Sequence, residues 1–345
     1  MANTSSSISP SDLEDQDAKF LALSISSAIL CPVIVISNLF VILGPVFTWR
    51  LRSPDNVLMV SCAVADLING LLSMPLVVLG TSDNHQLKFM YKKKWTCQLH
   101  IFVFLIPIAA SMYSLLAICV DRCIAINYPF FYSRNVKPRV AVLAAVAIWL
   151  VSIAQVSSGV FGSFVYNVSA PLADRCSYFK VLPYWWREYV SNMTVLITLV
   201  LCLIMCVQTV LVIVRTRRRD IESTSLRGTT SLRSFHNQFL PGVKIEAILI
   251  FSFIFLWMPT LLINLVEKLS VSSFSMMIYR VMTGVFRNCN HGINAFVYAY
   301  CRKTNRKVYW YMMTHWPTDW RKIPQVVNLW LDTGQLSFQS RTLTN

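Results

Sequence analysis

Several polar residues that could bind a small cation lie inside otherwise apolar stretches of the sequence. Asp66, Asn38 and Ser111 belong to three such stretches. Asn290 and Asn294 are four residues apart in a fourth, so one helical face would carry both. A single carboxylate surrounded by oxygen ligands suits sodium better than a divalent ion. The alternative is a protonated Asp66 whose hydrogen bonds to the asparagines hold helices together. The pattern alone favours neither.

Arg287 is the second residue with a chemical role to explain. It lies about half-way along an apolar stretch, where an unpaired arginine is costly. One interpretation is an internal ion pair, for example with Glu267. The other is a positively charged group at the base of a binding site for a ligand with a carboxylate or phosphate group. Both stay open at this point.

The elements that position these residues follow from composition. The chain has 345 residues, of which 55% are hydrophobic and only 14% charged. Soluble domains carry about 25% charged residues, so an ordinary soluble enzyme is excluded. The net charge of +15 comes from basic clusters between long apolar blocks, which is typical of a membrane protein and not of a nucleic-acid-binding one.

A membrane-spanning helix needs about 20 mostly apolar residues, and seven stretches meet this requirement. We predict spans 1 to 7 at residues 20–48, 56–81, 96–126, 139–163, 187–214, 244–267 and 276–300. The basic residues after spans 1, 3, 5 and 7 fall on one side, which predicts an extracellular N-terminus and a multi-pass protein of the plasma membrane. The expected organisation is an extracellular tail (1–18), a seven-span bundle (19–300) and a cytoplasmic helix and tail (301–345).

Features on the outer side agree with this orientation. Asn3 and Asn167 begin sequons that would be open to glycosylation. Cys97 and Cys176 fall on the same side, where an oxidising exterior permits a disulfide between them. Two free thiols are the alternative.

Two motifs could change position, one at the inner end of span 3 and one within span 6. Asp121-Arg122-Cys123 stands at the inner end of span 3, where an arginine is commonly a snorkelling boundary residue. Pro259 in span 6 removes a helical hydrogen bond and kinks the helix, so the preceding Trp257 could swing with the kink. A bulky core residue beside a tolerated proline is the alternative.

Taken together, these residues resemble the rhodopsin-like (class A) G-protein-coupled receptors over all seven spans. The markers stand in the family's order: Ser37-Asn38, Ala63-Val64-Ala65-Asp66-Leu67, Trp95 with Cys97, Asp121-Arg122-Cys123, Trp149, Trp257-Met258-Pro259 and Asn294-Ala295-Phe296-Val297-Tyr298. The resemblance implies a non-enzymatic receptor that converts binding of an extracellular ligand into activation of a heterotrimeric G protein.

The resemblance also implies roles for individual residues. The family's sodium pocket is matched by Asp66, Ser111, Asn290 and Asn294, and no other cofactor is implied. By the same resemblance, Asp121, Arg122 and Tyr298 form the G-protein switch, and Cys97 and Cys176 match the family's disulfide. Residues 302–313 look like the family's amphipathic helix on the inner leaflet, where basic residues favour anionic lipid.

Some residues depart from the family pattern. Cys123 replaces an aromatic residue, Ala295 replaces a proline, and Phe239 stands where some members carry an acid that restrains the arginine. Arg122 is then left with Asp121 as its local restraint, which predicts raised signalling without ligand.

The ligand is not assigned by the sequence. Phe104 replaces the acid that binds amines, and Asn288 replaces the lysine that binds retinal. Asn264 matches the purine-binding asparagine of adenosine receptors, and Tyr178 stands where they place a stacking phenylalanine, whereas Arg287 departs from them. An adenosine-like ligand, another small molecule and a peptide remain open. The predicted ligand-binding residues are Phe104, Tyr178, Trp257, Asn264, Arg287 and Asn288.

Three other functions compete with this one. A transporter or channel predicts repeats, broken helices or several pore charges, whereas we find one central acid and one arginine. A membrane enzyme predicts a catalytic constellation, but His100 and His291 belong to different spans and have no third partner at a metal-site spacing. A receptor without G-protein coupling stays open because of the departures at the inner face.

Overall fold

The structure is a computed structural model that describes residues 10–48, 51–80, 94–165, 181–224, 247–262, 273–301 and 303–315. Within these ranges the chain is almost entirely helical. The predicted all-α membrane protein is therefore confirmed.

The helices follow the seven predicted spans closely. Span 1 is Pro10–Phe47, span 3 is Lys94–Asn127, span 4 is Pro138–Val165, and span 7 is Ser273–Cys301. Span 2 consists of Pro54–Ile68, a π-helical turn at Asn69–Ser73, and Met74–Gly80. Span 5 begins with a π-helical turn at Trp186–Asn192 and continues as Met193–Thr224. The described part of span 6 is Ala247–Leu262. Short helices follow span 3 at Pro129–Asn135 and span 7 at Lys303–His315.

Among the described residues, spans 1 to 5 are long and apolar enough to cross a membrane. The described part of span 6 is apolar but shorter. Span 7 has the length of a membrane helix, but Arg280, Arg287, Asn290 and Asn294 make it more polar. These polar side chains need partners inside the bundle.

Two helix starts differ from the predictions. Span 1 begins at Pro10, so residues 10–18, predicted as part of the tail, are helical. Proline at the first helical position costs nothing, because its missing N–H would have had no helical partner there. Span 2 also begins with a proline, at Pro54 instead of the predicted residue 56, so Asp55 lies in its first turn. This second difference matters for the site.

The core of the bundle joins spans 2 to 7, with Ala141 as the contribution of span 4. Leu58, Met112, Leu199, Phe253 and Tyr298 come from spans 2, 3, 5, 6 and 7 and belong to one buried cluster. Span 3 contacts spans 2, 4 and 5, and span 1 packs along spans 2 and 7. Burial of this shared apolar surface fixes the depth of the polar residues that the spans carry.

The helix after span 7 is anchored on span 1. Val308 and Met312 are fully buried in a cluster with Val41 and Phe47. Gly44 makes this approach possible, since a Cβ at that position would lie 3.0 Å from the ring of Tyr309. The predicted amphipathic helix at 302–313 is thus observed as Lys303–His315.

Span 4 and the start of span 5 meet at a close contact. The indole N–H of Trp186 donates to the Gln155 carbonyl at 3.2 Å and to Ser158 Oγ at 3.0 Å. A Cβ on Gly159 would lie 2.6 Å from the Trp186 ring. Only glycine therefore leaves room for the indole here.

Candidate functional site

Asp66 lies at the centre of a buried polar cluster. Its side chain is fully buried on span 2. His291 Nδ1 on span 7 lies 2.6 Å from Asp66 Oδ1, and Asn294 Nδ2 lies 3.3 Å from Asp66 Oδ2. Cys62, one turn before Asp66, places its Sγ 3.8 Å from Oδ2. Span 7 therefore contacts both oxygens of the Asp66 carboxylate.

Asn38 connects span 1 to the same cluster. Its amide donates to the His291 carbonyl at 2.9 Å and to the Ile34 carbonyl at 3.0 Å. Span 1 thereby holds the span 7 backbone at the residue whose side chain reaches Asp66. We name Asn38, Cys62, Asp66, His291 and Asn294 the polar cluster.

His291 is the residue that sequence reasoning missed. It is not among the predicted site residues, because His100 and His291 have no third ligand at a metal-site spacing. A signal was available, since His291 lies three residues before Asn294 and hence on the same helical face. Its side chain is 1% exposed, so a polar partner was required.

The polar cluster does not fit the predicted sodium shell. A hard cation needs oxygen ligands around the carboxylate, whereas a nitrogen and the Asn294 amide nitrogen face it here. Ser111 Oγ lies 3.4 Å from Cys62 Sγ, and that thiol stands between the hydroxyl and the carboxylate. Asn290, the fourth predicted ligand, is buried nearby on span 7.

Arg122 is held in a second network at one end of the bundle. Its Nη2 lies 2.7 Å from Asp121 Oδ2 and 3.2 Å from Asp55 Oδ2. Tyr132 in the short helix after span 3 donates its hydroxyl to Asp121 Oδ1 at 2.9 Å. We name these four residues the arginine cage.

The arginine cage corrects one prediction. Asp121 was expected to be the local restraint on Arg122, but Asp55 and Tyr132 contribute as well. Burial and the nearby Asp121 carboxylate raise the pKa of Tyr132, so its phenol remains a donor at neutral pH. The predicted high signalling without ligand therefore loses its structural reason.

A cavity of about 80 Å³ opens between spans 1, 2, 3 and 7. Its lining includes Asn69, Phe104, Arg287 and Asn288. The guanidinium of Arg287 lies 4.9 Å from the centre of the Phe104 ring, a cation–π contact. Asn69 is 1% exposed, and both polar atoms of its side chain lack a partner among the described residues. A polar ligand or water would satisfy them.

The cavity, the polar cluster and the arginine cage follow one another along the bundle. Span 2 carries Asp55 in the cage, Asp66 in the cluster and Asn69 at the cavity. Asp55 and Asp66 are eleven residues apart, or about 16 Å along a helix. Span 7 carries Arg287 at the cavity and His291 and Asn294 in the polar cluster.

The other predicted residues divide into three groups. Trp257 and Tyr298 are 4% and 1% exposed and belong to the core cluster between the cavity and the cage. Cys97 is disulfide-bonded, and its predicted partner Cys176 lies outside the described residues. Outside the described residues lie Asn3, Asn167, Cys176, Tyr178, Asn264 and Glu267.

Comparison with known proteins gives consistent matches. The model of the 7 transmembrane receptor (rhodopsin family) matches residues 37–298. Adenosine receptor A3 from Bos taurus is 27% identical over 304 residues, which cover 84% of this chain and 90% of that receptor. Dopamine receptor 2 from Caenorhabditis elegans is 33% identical over 193 residues, which cover 55% of this chain and only 21% of that protein.

Proposed function

Because the chain belongs to the rhodopsin family of seven-transmembrane receptors and is a G-protein-coupled receptor, we propose that it receives its ligand at the cavity beside Arg287 and releases Arg122 to the G protein. The observation that carries this proposal is the order of cavity, polar cluster and arginine cage along span 2, with span 7 contributing residues to the cavity and the cluster. A ligand at one end and a G protein at the other would both bias one set of packed helices.

The proposed orientation puts the N-terminus outside the plasma membrane. The basic residues after spans 1, 3, 5 and 7 support it through the positive-inside rule. The disulfide at Cys97, at the end of span 3 nearer the cavity, suits an oxidising exterior. The arginine cage would then face the cytoplasm, where the G protein is.

The proposed ligand is a small molecule with a carboxylate or phosphate group. Arg287 supplies the charge, and its guanidinium already lines the cavity with the amides of Asn69 and Asn288. Planar guanidinium groups bind carboxylate and phosphate in a bidentate manner. Phe104 packs against the cation and against the core cluster that contains Trp257. A ligand that draws Arg287 away would therefore disturb that cluster.

The relay is a shift between a closed and an open bundle. We take the arginine cage as the mark of the closed form, because Asp55 and Asp121 contact Arg122 and Tyr132 in the following helix fixes Asp121. Ligand binding at span 7 would change the contacts of His291 and Asn294 with Asp66, and hence the packing of span 2 that carries Asp55. Differential affinity for the open form supplies the free energy.

The test is a screen of carboxylates, nucleotides, nucleosides and peptides on cells that express the receptor, with several second messengers measured. An acidic hit is then tested on Arg287→Gln and on Arg287→Lys, which keeps the charge. Potency should fall at least about tenfold in the glutamine variant, as expected for loss of a charge-assisted hydrogen bond. Equal potency on Arg287→Gln would refute the anionic site.

A nucleoside is the second candidate ligand. Two positions favour it: Asn264 lies seven residues after Trp257, and Tyr178 lies two residues after Cys176. The similarity to the relative named adenosine receptor A3 favours it as well. The same screen separates the two, because a nucleoside should lose potency on Asn264→Ala and keep it on Arg287→Gln.

A further inference from the structure

We propose that the imidazole of His291 takes the place of a sodium ion beside Asp66, so that this receptor is insensitive to sodium. The resemblance to the family implies a sodium ion at Asp66, and the geometry of the polar cluster disagrees with it. The inference rests on that cluster and not on the ligand proposed above.

The first argument is the position of His291 Nδ1. It lies 2.6 Å from Asp66 Oδ1, shorter than most hydrogen bonds between a nitrogen and a carboxylate. A hard cation would approach the same oxygen to a similar distance. The ring and the ion therefore compete for one position beside an oxygen that is buried from solvent.

The second argument is the character of the groups around the carboxylate. An ionised Asp66 only accepts hydrogen bonds, so His291 Nδ1 and Asn294 Nδ2 face it as donors. Cys62 adds a weak donor at 3.8 Å from Oδ2. Donors stabilise a carboxylate in place of a cation, whereas sodium requires acceptors around it.

The third argument is that His291 cannot easily turn away. Asn38 fixes its backbone carbonyl at 2.9 Å, and the side chain is 1% exposed. Asp66 is the side-chain partner of the ring, while Nε2 has no hydrogen-bond partner among the described residues. A rotation that vacated the site would leave the imidazole and the carboxylate both buried without each other.

The experiment measures the melting temperature of the purified receptor in about 150 mM NaCl and in choline chloride of equal ionic strength. No ligand or G protein is present, so the result is independent of the proposed function. The wild type should melt at the same temperature in both salts. The His291→Ser variant, which opens the position and offers a hydroxyl oxygen, should melt at least about 2 °C higher in NaCl.

Adding Asp66→Asn to the His291→Ser variant is the matched control and should abolish the sodium effect. A wild type that is stabilised by sodium and not by choline would overturn the proposal. That measurement decides the matter even if the variant does not fold. A folded His291→Ser receptor with no sodium response would also overturn it, because the imidazole would then not be what excludes the ion.

Discussion

The ion pair between Arg122 and Asp55 gives the sharpest prediction of the closed form. Replacing Asp55 by asparagine removes the charge 3.2 Å from Arg122 Nη2 and keeps the shape of the side chain. Asp121 remains 2.7 Å from the same nitrogen, so Arg122 keeps one carboxylate partner. The variant should therefore fold but hold Arg122 less tightly.

The magnitude follows from burial and distance. The side chains of Arg122 and Asp55 are 17% and 6% exposed, so solvent screens the pair little. Hydrogen bonds to charged groups contribute about 1.5–3 kcal/mol. We take about 1.5 kcal/mol, because asparagine still offers a carbonyl oxygen and released Arg122 gains water. This corresponds to about a tenfold rise in the open fraction while that fraction is small.

The assay is second-messenger production without ligand, in cells with equal surface levels of each receptor. Glu188→Gln is the matched acid-to-amide control, because Glu188 bonds Asn192 at the far end of span 5 and does not belong to the arginine cage. The Asp55→Asn receptor should signal about tenfold above wild type, and the control should equal wild type. Equal signalling by Asp55→Asn and wild type would refute the role given to the cage.

Two predictions concern stability. Gly159→Ala places a Cβ 2.6 Å from the Trp186 ring and should lower the melting temperature, since overpacking costs about 1–3 kcal/mol. Gly292→Ala is the control, because its Cβ would make an ordinary 3.4 Å contact. Equal melting temperatures of the two variants would contradict the close packing of Gly159 against Trp186. Cys97→Ser breaks the disulfide and should lower the free energy of unfolding by about 2–5 kcal/mol, measured as a lower melting temperature. Cys289 is a free cysteine, so the control variant Cys289→Ser should change the melting temperature little. An unchanged melting temperature in Cys97→Ser would contradict the stabilising role of the disulfide.

The fold was largely predictable because membrane helices are marked by long apolar runs. Span 4 was predicted at 139–163 and is observed as Pro138–Val165. The π-helical turn at Asn69–Ser73 was not predicted, since one inserted residue leaves no trace in composition. It accompanies the turn of Asn69 into the cavity lining.

The sequence predicted which residues belong to the site, but not which of them pair through hydrogen bonds or ion pairs. Asp66 and Asn294 were expected together and are in contact. His291 was missed because its pairing with Asp66 depends on the rotation of span 7 against span 2, which the sequence does not encode in any short spacing. Asp55 was missed because its contact with Arg122 needs two spans to pack side by side.

Nucleotide exchange on a purified heterotrimeric G protein tests directly whether release of Arg122 from its cage activates the G protein. The comparison is between the Asp55→Asn receptor and the same receptor with Arg122→Ala added, both reconstituted in lipid without ligand. We predict that Asp55→Asn accelerates exchange and that Arg122→Ala abolishes the acceleration. Equal rates for the two receptors would contradict it.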